Sequence, residues 1–205
     1  MKEHLMFDTI PVCGQPISHI HKKLVNDKSK FDDLEYHDPQ SWGVLVSKDH
    51  YLLDNKKYED IKDKITDVVE QYKTDVLGIK NDIVMTTSWM TLNKTGCSHG
   101  THDHPGVFIS LTHYLNCESG DLKFEFDKSL IAQNFNLHYD VEEFNIFNSP
   151  SWTFEVRTDD TIIFPGYVKH LTTPNYSKTN RLCLGANFFF KGQYGADLTF
   201  DKVVF

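Results

Sequence analysis

From about residue 83 the chain is written in short runs of β-branched and aromatic residues separated by turn-forming clusters. This punctuation constrains the fold more than any other feature. The separators are Asn116-Cys117-Glu118-Ser119-Gly120, Asn148-Ser149-Pro150, Thr158-Asp159-Asp160 and Pro174-Asn175. Between them the spacing predicts strands near 83–92, 107–116, 121–126, 152–156, 161–165 and 181–190. The stretch 127–150 is polar and Asn-rich and reads as a loop crossing the mouth of a barrel. Many short strands after a leading helix imply a β-sandwich or jelly roll.

The leading helix is expected over residues 55–77. Tyr58, Ile61, Ile65, Val68, Val69 and Tyr72 recur at three- and four-residue steps and form one apolar stripe. Asp54 or Asn55 can cap its start and Gly78 can end it. Nothing in this helix carries chemistry. Trp42-Gly43-Val44-Leu45-Val46 is a further candidate strand, within a first fifty residues that otherwise mix short apolar runs with polar loops. The expected organisation is a single domain over 1–205, in which 1–80 supports a catalytic core at 83–205.

Charge and cysteine content narrow the function classes. The net charge is −8, and Lys22, Lys23, Lys28 and Lys30 alternate with Asp27, Asp32 and Asp33, which is a solvated face and not a nucleic-acid stripe. No apolar run approaches the ~20 residues of a membrane helix. The segment Met1 to Asp8 is broken by charge and lacks a signal-peptide core, so a cytoplasmic protein is expected. Cys13, Cys97, Cys117 and Cys183 form no CxxC pair and are expected as reduced thiols.

Eleven histidines make chance His-x-His pairs common, and two occur: His19-Ile20-His21 and His102-Asp103-His104. Context separates them. His102 and His104 fall between two expected strands, and in extended chain residues i and i+2 point the same way, so both rings can reach one ion. A third ligand must come from elsewhere, and His170, just after the apolar run Thr161–Phe164, is the natural candidate. Arg181 opens another apolar run and is one of only two arginines. A guanidinium there wants a carboxylate, from the protein or from a bound dicarboxylate gripped bidentately.

Taken in order, these residues resemble the 2-oxoglutarate/Fe(II)-dependent oxygenase superfamily, above all its prolyl-hydroxylase-like branch and a group of small oxygenases of bacteria and their phages. The likeness covers roughly residues 40–190. It rests on Gly96, His102 and His104, then Tyr114-Leu115-Asn116, Gly120-Asp121-Leu122-Lys123-Phe124, Phe164-Pro165, His170, Arg181 and Asn187. Trp89 and Asn93 resemble the group's entry segment. The resemblance implies a mainly β fold, a double-stranded β-helix (jelly roll) with one or more flanking N-terminal helices.

It also implies Fe(II) held by His102, His104 and His170, with 2-oxoglutarate as co-substrate. The far carboxylate of 2-oxoglutarate would pair with Arg181 beside Tyr114, and Asn93 and Asn187 would supply further polar contacts. The implied reaction is hydroxylation of a small-molecule or peptide substrate in a bacterial cytoplasm, or a host cytoplasm for a phage protein.

Two residues depart from the pattern. The second ligand is usually Asp or Glu, and here it is His104, which makes three neutral ligands. Leu111 stands where the small-oxygenase group tends to have Gly. His138-Tyr139-Asp140 spells His-x-Asp literally, but only two clear strands separate it from His170 and no Tyr-Leu-Asn strand follows it. Two other classes stay open: a cupin-like three-histidine metalloenzyme without 2-oxoglutarate, which has no need of Arg181, and a non-catalytic jelly-roll binding or structural protein.

Overall fold

The computed structural model describes residues 3–12, 14–39, 41, 43–129, 131–132, 139–194 and 203–204. Strands β1 (Asp8–Val12), β2 (Gln15–His21), β3 (Tyr36–His37) and β4 (Val44–Ser47) precede helix α1 (Glu59–Gln71). Then follow β5 (Ile83–Asn93), β6 (Ile109–Asn116), β7 (Leu122–Glu125), β8 (Ser151–Phe154), β9 (Asp160–Pro165), β10 (His170–Thr172) and β11 (Arg181–Phe190). The short β12 (Gln193–Tyr194) and β13 (Val203–Val204) pair only with each other.

An eight-stranded sheet has the order β1-β2-β9-β6-β11-β5-β4-β3, and a three-stranded sheet the order β10-β7-β8. Paired neighbours are antiparallel. The fold is the mainly β jelly roll that was expected, and every strand expected from residue 83 onward has its counterpart.

Two apolar layers flank the large sheet. Alternate residues of β6 part between them. Ile109, Leu111 and Leu115 join Ile61, Ile65, Val68 and Val69 of α1 in one cluster. Tyr114 joins Ile17, Leu122, Phe124, Ile162 and Phe164 in another, between the two sheets. The central strands are thus covered on both faces, which is why all six residues of β9 are buried. Each large apolar side chain so buried contributes about 1.5–3 kcal/mol. Leu111, the departure noted above, fills the helix-side layer at 1% exposure.

The expected 55–77 helix is split. The Asn55 side chain accepts the Lys57 N–H at 3.0 Å and caps a short 3₁₀ turn, Lys56–Tyr58, ahead of α1. At the other end the helix widens into a π turn, Tyr72–Val76, where the buried Lys73 ammonium meets Glu70 at 2.6 Å and the Asn81 carbonyl at 3.0 Å. The N-terminal strands β1 and β2 went unflagged because Gln15–His21 offers only Ile17 and Ile20 as apolar residues. Pairing with β9, Ser18↔Ile163 through His21↔Asp160, overrides that weak local preference. The strand expected at 42–46 is β4, and Trp42 lies outside the described residues. Cys97, Cys117 and Cys183 are free thiols, and Cys13 lies outside the described residues. Among the described residues no helix is long and apolar enough to cross a membrane.

Candidate metal centre and its cavity

β9 ends at Pro165, a turn closes with the Val168 N–H on the Pro165 carbonyl at 3.0 Å, and β10 opens with His170. The loop that leads into β6 lies antiparallel along this turn. His102 N–H donates to the His170 carbonyl at 3.0 Å, His170 N–H returns to the His102 carbonyl at 2.9 Å, and His104 N–H donates to the Gly166 carbonyl at 2.8 Å. Glycine is required at 166, because a Cβ there would stand 2.6 Å from the Val107 carbonyl oxygen. Backbone pairing therefore sets residues from distant parts of the sequence side by side. Ring centroids lie 4.3 Å apart for His102–His170, 5.1 Å for His104–His170 and 5.4 Å for His102–His104.

Hydrogen bonds fix which nitrogen of each ring is free. His102 Nδ1 meets the Gly100 carbonyl at 2.9 Å, and His170 Nδ1 meets the Val168 carbonyl at 2.9 Å. A carbonyl only accepts, so both Nδ1 atoms carry the proton and both Nε2 atoms keep a lone pair. For His104 the same conclusion comes through Asn187. The amide Nδ2 donates to Thr87 Oγ1 at 3.1 Å, which leaves Oδ1, 2.9 Å from His104 Nδ1, as the acceptor. Ser110 Oγ also contacts His104 Nδ1, at 2.8 Å. Asn187, expected beside the co-substrate, instead orients a ring.

Burial holds all three imidazoles neutral. It pushes His102 and His104 below the ordinary histidine value, and together with the neighbouring histidines it drives His170 down to about 3. The ligand atoms of the three residues lie within 4.8 Å of one another, an arrangement that could hold a metal ion. Asp103 is exposed and outside this group, as is Asp140. His138, the other half of the literal His-x-Asp, lies outside the described residues.

Arg181 is the largest fully buried side chain among the described residues, 1% exposed. Nη2 donates to the Thr173 carbonyl at 3.1 Å, while Nε and Nη1 have no partner. Among the described residues no carboxylate pairs with it. Gly120 makes room for it, since a Cβ at 120 would stand 2.0 Å from Nη1. A buried guanidinium with unmet N–H groups is costly unless an anion completes it. This one, with His102, His104, His170, Tyr114 and Asn93, lines one cleft of about 550 Å³ including its open mouth. All six residues expected in the site are thus brought to one cavity. Asn93 donates from Nδ2 to Thr172 Oγ1 at 3.2 Å, and its Oδ1 is buried without a partner. The donor set and the uncompensated cation suit a divalent metal with a diacid.

The cleft is also lined by residues for which the sequence predicts no role, among them His99, Thr172, Ser110 and Cys183. Period-two spacing was the available signal for three of them. Thr172 follows His170 by two, Cys183 follows Arg181 by two, and Ser110 precedes Tyr114 by four, each on the cavity face of its strand. His99 lies in the loop after β5 and had no such signal.

Residues 87–187 match the family model described as "Putative 2OG-Fe(II) oxygenase". That match spans the segment holding His102, His104, His170 and Arg181. Several solved structures have a similar fold. An oxidoreductase of the 2OG-Fe(II) oxygenase family from Burkholderia pseudomallei superposes with a TM-score of 0.59 at 12% identity, covering 81% of this chain and 77% of that one. HygX from Streptomyces hygroscopicus, with nickel, 2-oxoglutarate and hygromycin B bound, gives 0.57 at 13% identity, with coverage of 84% and 82%. The epimerase SnoN from nogalamycin biosynthesis, in complex with Fe3+, alpha ketoglutarate and nogalamycin RO, gives 0.58 at 12% identity, with coverage of 89% and 82%. No curated protein matches the chain by sequence.

Proposed function

We propose that the protein is an Fe(II)- and 2-oxoglutarate-dependent oxygenase of the hydroxylase type, acting on a small-molecule or peptide substrate. The observation that supports this most is the pairing, in one cavity, of three converging Nε2 lone pairs with an uncompensated buried guanidinium. His102, His104 and His170 would hold the ferrous ion. Arg181 would take the far carboxylate of 2-oxoglutarate, with Tyr114 and Asn93 on the same wall. When bound, the ion and 2-oxoglutarate supply the oxidising chemistry: O2 is consumed, 2-oxoglutarate leaves as succinate and CO2, and the substrate gains the remaining oxygen atom.

The chain's own part is positional. Gly100, Val168 and Asn187 lock the ring tautomers. Three neutral ligands leave the ion's charge uncompensated, so the cavity as a whole favours a dianion over a neutral ligand. Tyr114, 1% exposed, keeps its phenol un-ionised because burial raises its pKa well above the ordinary value. It can therefore donate to a carboxylate without adding negative charge. The proposed unit is one domain, with residues 1–80 bracing the core. A three-histidine enzyme that dispenses with the diacid would leave Arg181 buried without a counter-charge.

The test is an anaerobic titration with Fe(II) and then 2-oxoglutarate, watched for a weak visible charge-transfer band. The band is expected in the unaltered protein and absent in His170→Ala. Stoichiometric Fe(II) binding with no band and no 2-oxoglutarate uptake would overturn the reading in favour of a diacid-free metalloprotein.

A further inference from the structure

The cavity holds a fourth histidine that the proposed ligand set does not use. The His99 ring stacks on that of His102, with centroids 4.2 Å apart and planes 28° from parallel. It lines the same cleft as Thr172 and Arg181. It is not one of the three residues whose ligand atoms converge. Its backbone is clamped on both sides: the N–H donates to Thr172 Oγ1 at 2.8 Å, and the carbonyl accepts the Thr172 N–H at 3.0 Å. Two further bonds, Gly96 N–H to the Asn175 carbonyl at 2.7 Å and Asn175 N–H to the Cys97 carbonyl at 3.0 Å, zip the rest of the loop to the same segment. The residue is therefore held in place.

Its ring is nevertheless unengaged. The other three cavity histidines each commit Nδ1 to a protein acceptor. Neither ring nitrogen of His99 has a hydrogen-bond partner among the described residues. A half-buried imidazole that is held in place at the cleft with both ring nitrogens uncommitted is free to bond a ligand that enters it. An imidazole ring offers at least one N–H donor to a ligand in the cleft.

We propose that His99 is a further co-substrate-binding residue, whose ring N–H donates to a carboxylate of 2-oxoglutarate at the end nearer the three ligand histidines. This rests on the function proposed above. It adds a protein donor at the end of the diacid away from Arg181.

The experiment measures 2-oxoglutarate affinity by calorimetry in the Mn(II)-loaded protein, for His99→Phe and His99→Gln. Phe keeps a flat ring against His102 and loses the donor, and Gln keeps a donor. A charge-assisted hydrogen bond lost inside a cavity is expected to weaken binding by roughly tenfold to a hundredfold in His99→Phe, with most of the affinity restored in His99→Gln and Mn(II) affinity unchanged in both. A second reading is the charge-transfer band of the anaerobic Fe(II) complex at saturating 2-oxoglutarate. It should move in His99→Phe and return in His99→Gln, while Arg181→Leu, altered at the far end, leaves its position alone. Unchanged affinity and band in His99→Phe overturn the proposal. A loss of Mn(II) affinity of tenfold or more also overturns it, because His99 would then be a metal ligand. No 2-oxoglutarate binding in the unaltered protein removes the parent reading as well, a result distinct from either.

Discussion

At the scale of single residues the site is built from committed hydrogen bonds and a few deliberate gaps. Gly120 is one such gap. Its φ of +92° and the 2.0 Å approach of Arg181 Nη1 to its missing Cβ mean that any side chain there must displace the guanidinium. Gly120→Ala is therefore expected to weaken 2-oxoglutarate binding about tenfold or more and to leave metal binding intact, since the histidines stand apart from it. Calorimetry on the Mn(II)-loaded variant checks this. Full 2-oxoglutarate affinity in Gly120→Ala would mean that the Arg181 position is not what holds the diacid.

At the scale of elements, β6 shows how one strand serves two purposes. Ser110 and Tyr114 face the cavity, while Ile109, Leu111 and Leu115 face the helix side. His113, opposite Tyr114 on that second face, is fully buried, with Nδ1 on Thr161 Oγ1 at 2.9 Å and Nε2 unpartnered. Burial lowers its pKa to about 4. An unfolded imidazole takes up a proton near pH ~6.5, so between there and about pH 4 the unfolded chain binds a proton that the folded one refuses. Stability is then full above pH ~6.5 and falls with decreasing pH through that window. The Tm of the metal-free protein should drop across it, and the drop should be shallower in His113→Leu, even though the variant loses the Thr161 bond. Identical slopes would contradict the assignment.

The strands from β5 to β11 were legible in the sequence because burial on one or both faces writes apolar runs between turns. The clustering of His102, His104 and His170 was legible because an i, i+2 pair before a strand and a histidine after another can reach one point. The N-terminal strands were not, because β2 draws its stability from pairing with β9 and not from its own residues. His99 was not, because its place depends on the clamp to Thr172 and not on any periodicity. Asn187 stands out by family likeness, but its contact with His104 depends on a fold that brings residues 83 positions apart together.

At the scale of the whole molecule, an acidic chain of net charge −8 encloses a cavity with no described carboxylate against its arginine. The sheet order brings this about. β11 lies between β5 and β6, so Arg181 starts its strand beside Asn93, and Tyr114 sits on the next strand over. The three-stranded sheet closes over them with His170 at the start of β10. The histidine cluster, on the loop before β6 and the start of β10, and the guanidinium, on β11, are thus held by different segments of one framework and should fail separately. The central claim is that the two ends together bind one five-carbon diacid. Its most direct test is the calorimetric affinity of 2-oxoglutarate for the Mn(II)-loaded protein with and without Arg181. Arg181→Leu is expected to lose roughly a hundredfold or more in affinity, Arg181→Lys to lose less, and both to keep their Mn(II) affinity. An unchanged 2-oxoglutarate affinity in Arg181→Leu would contradict the account.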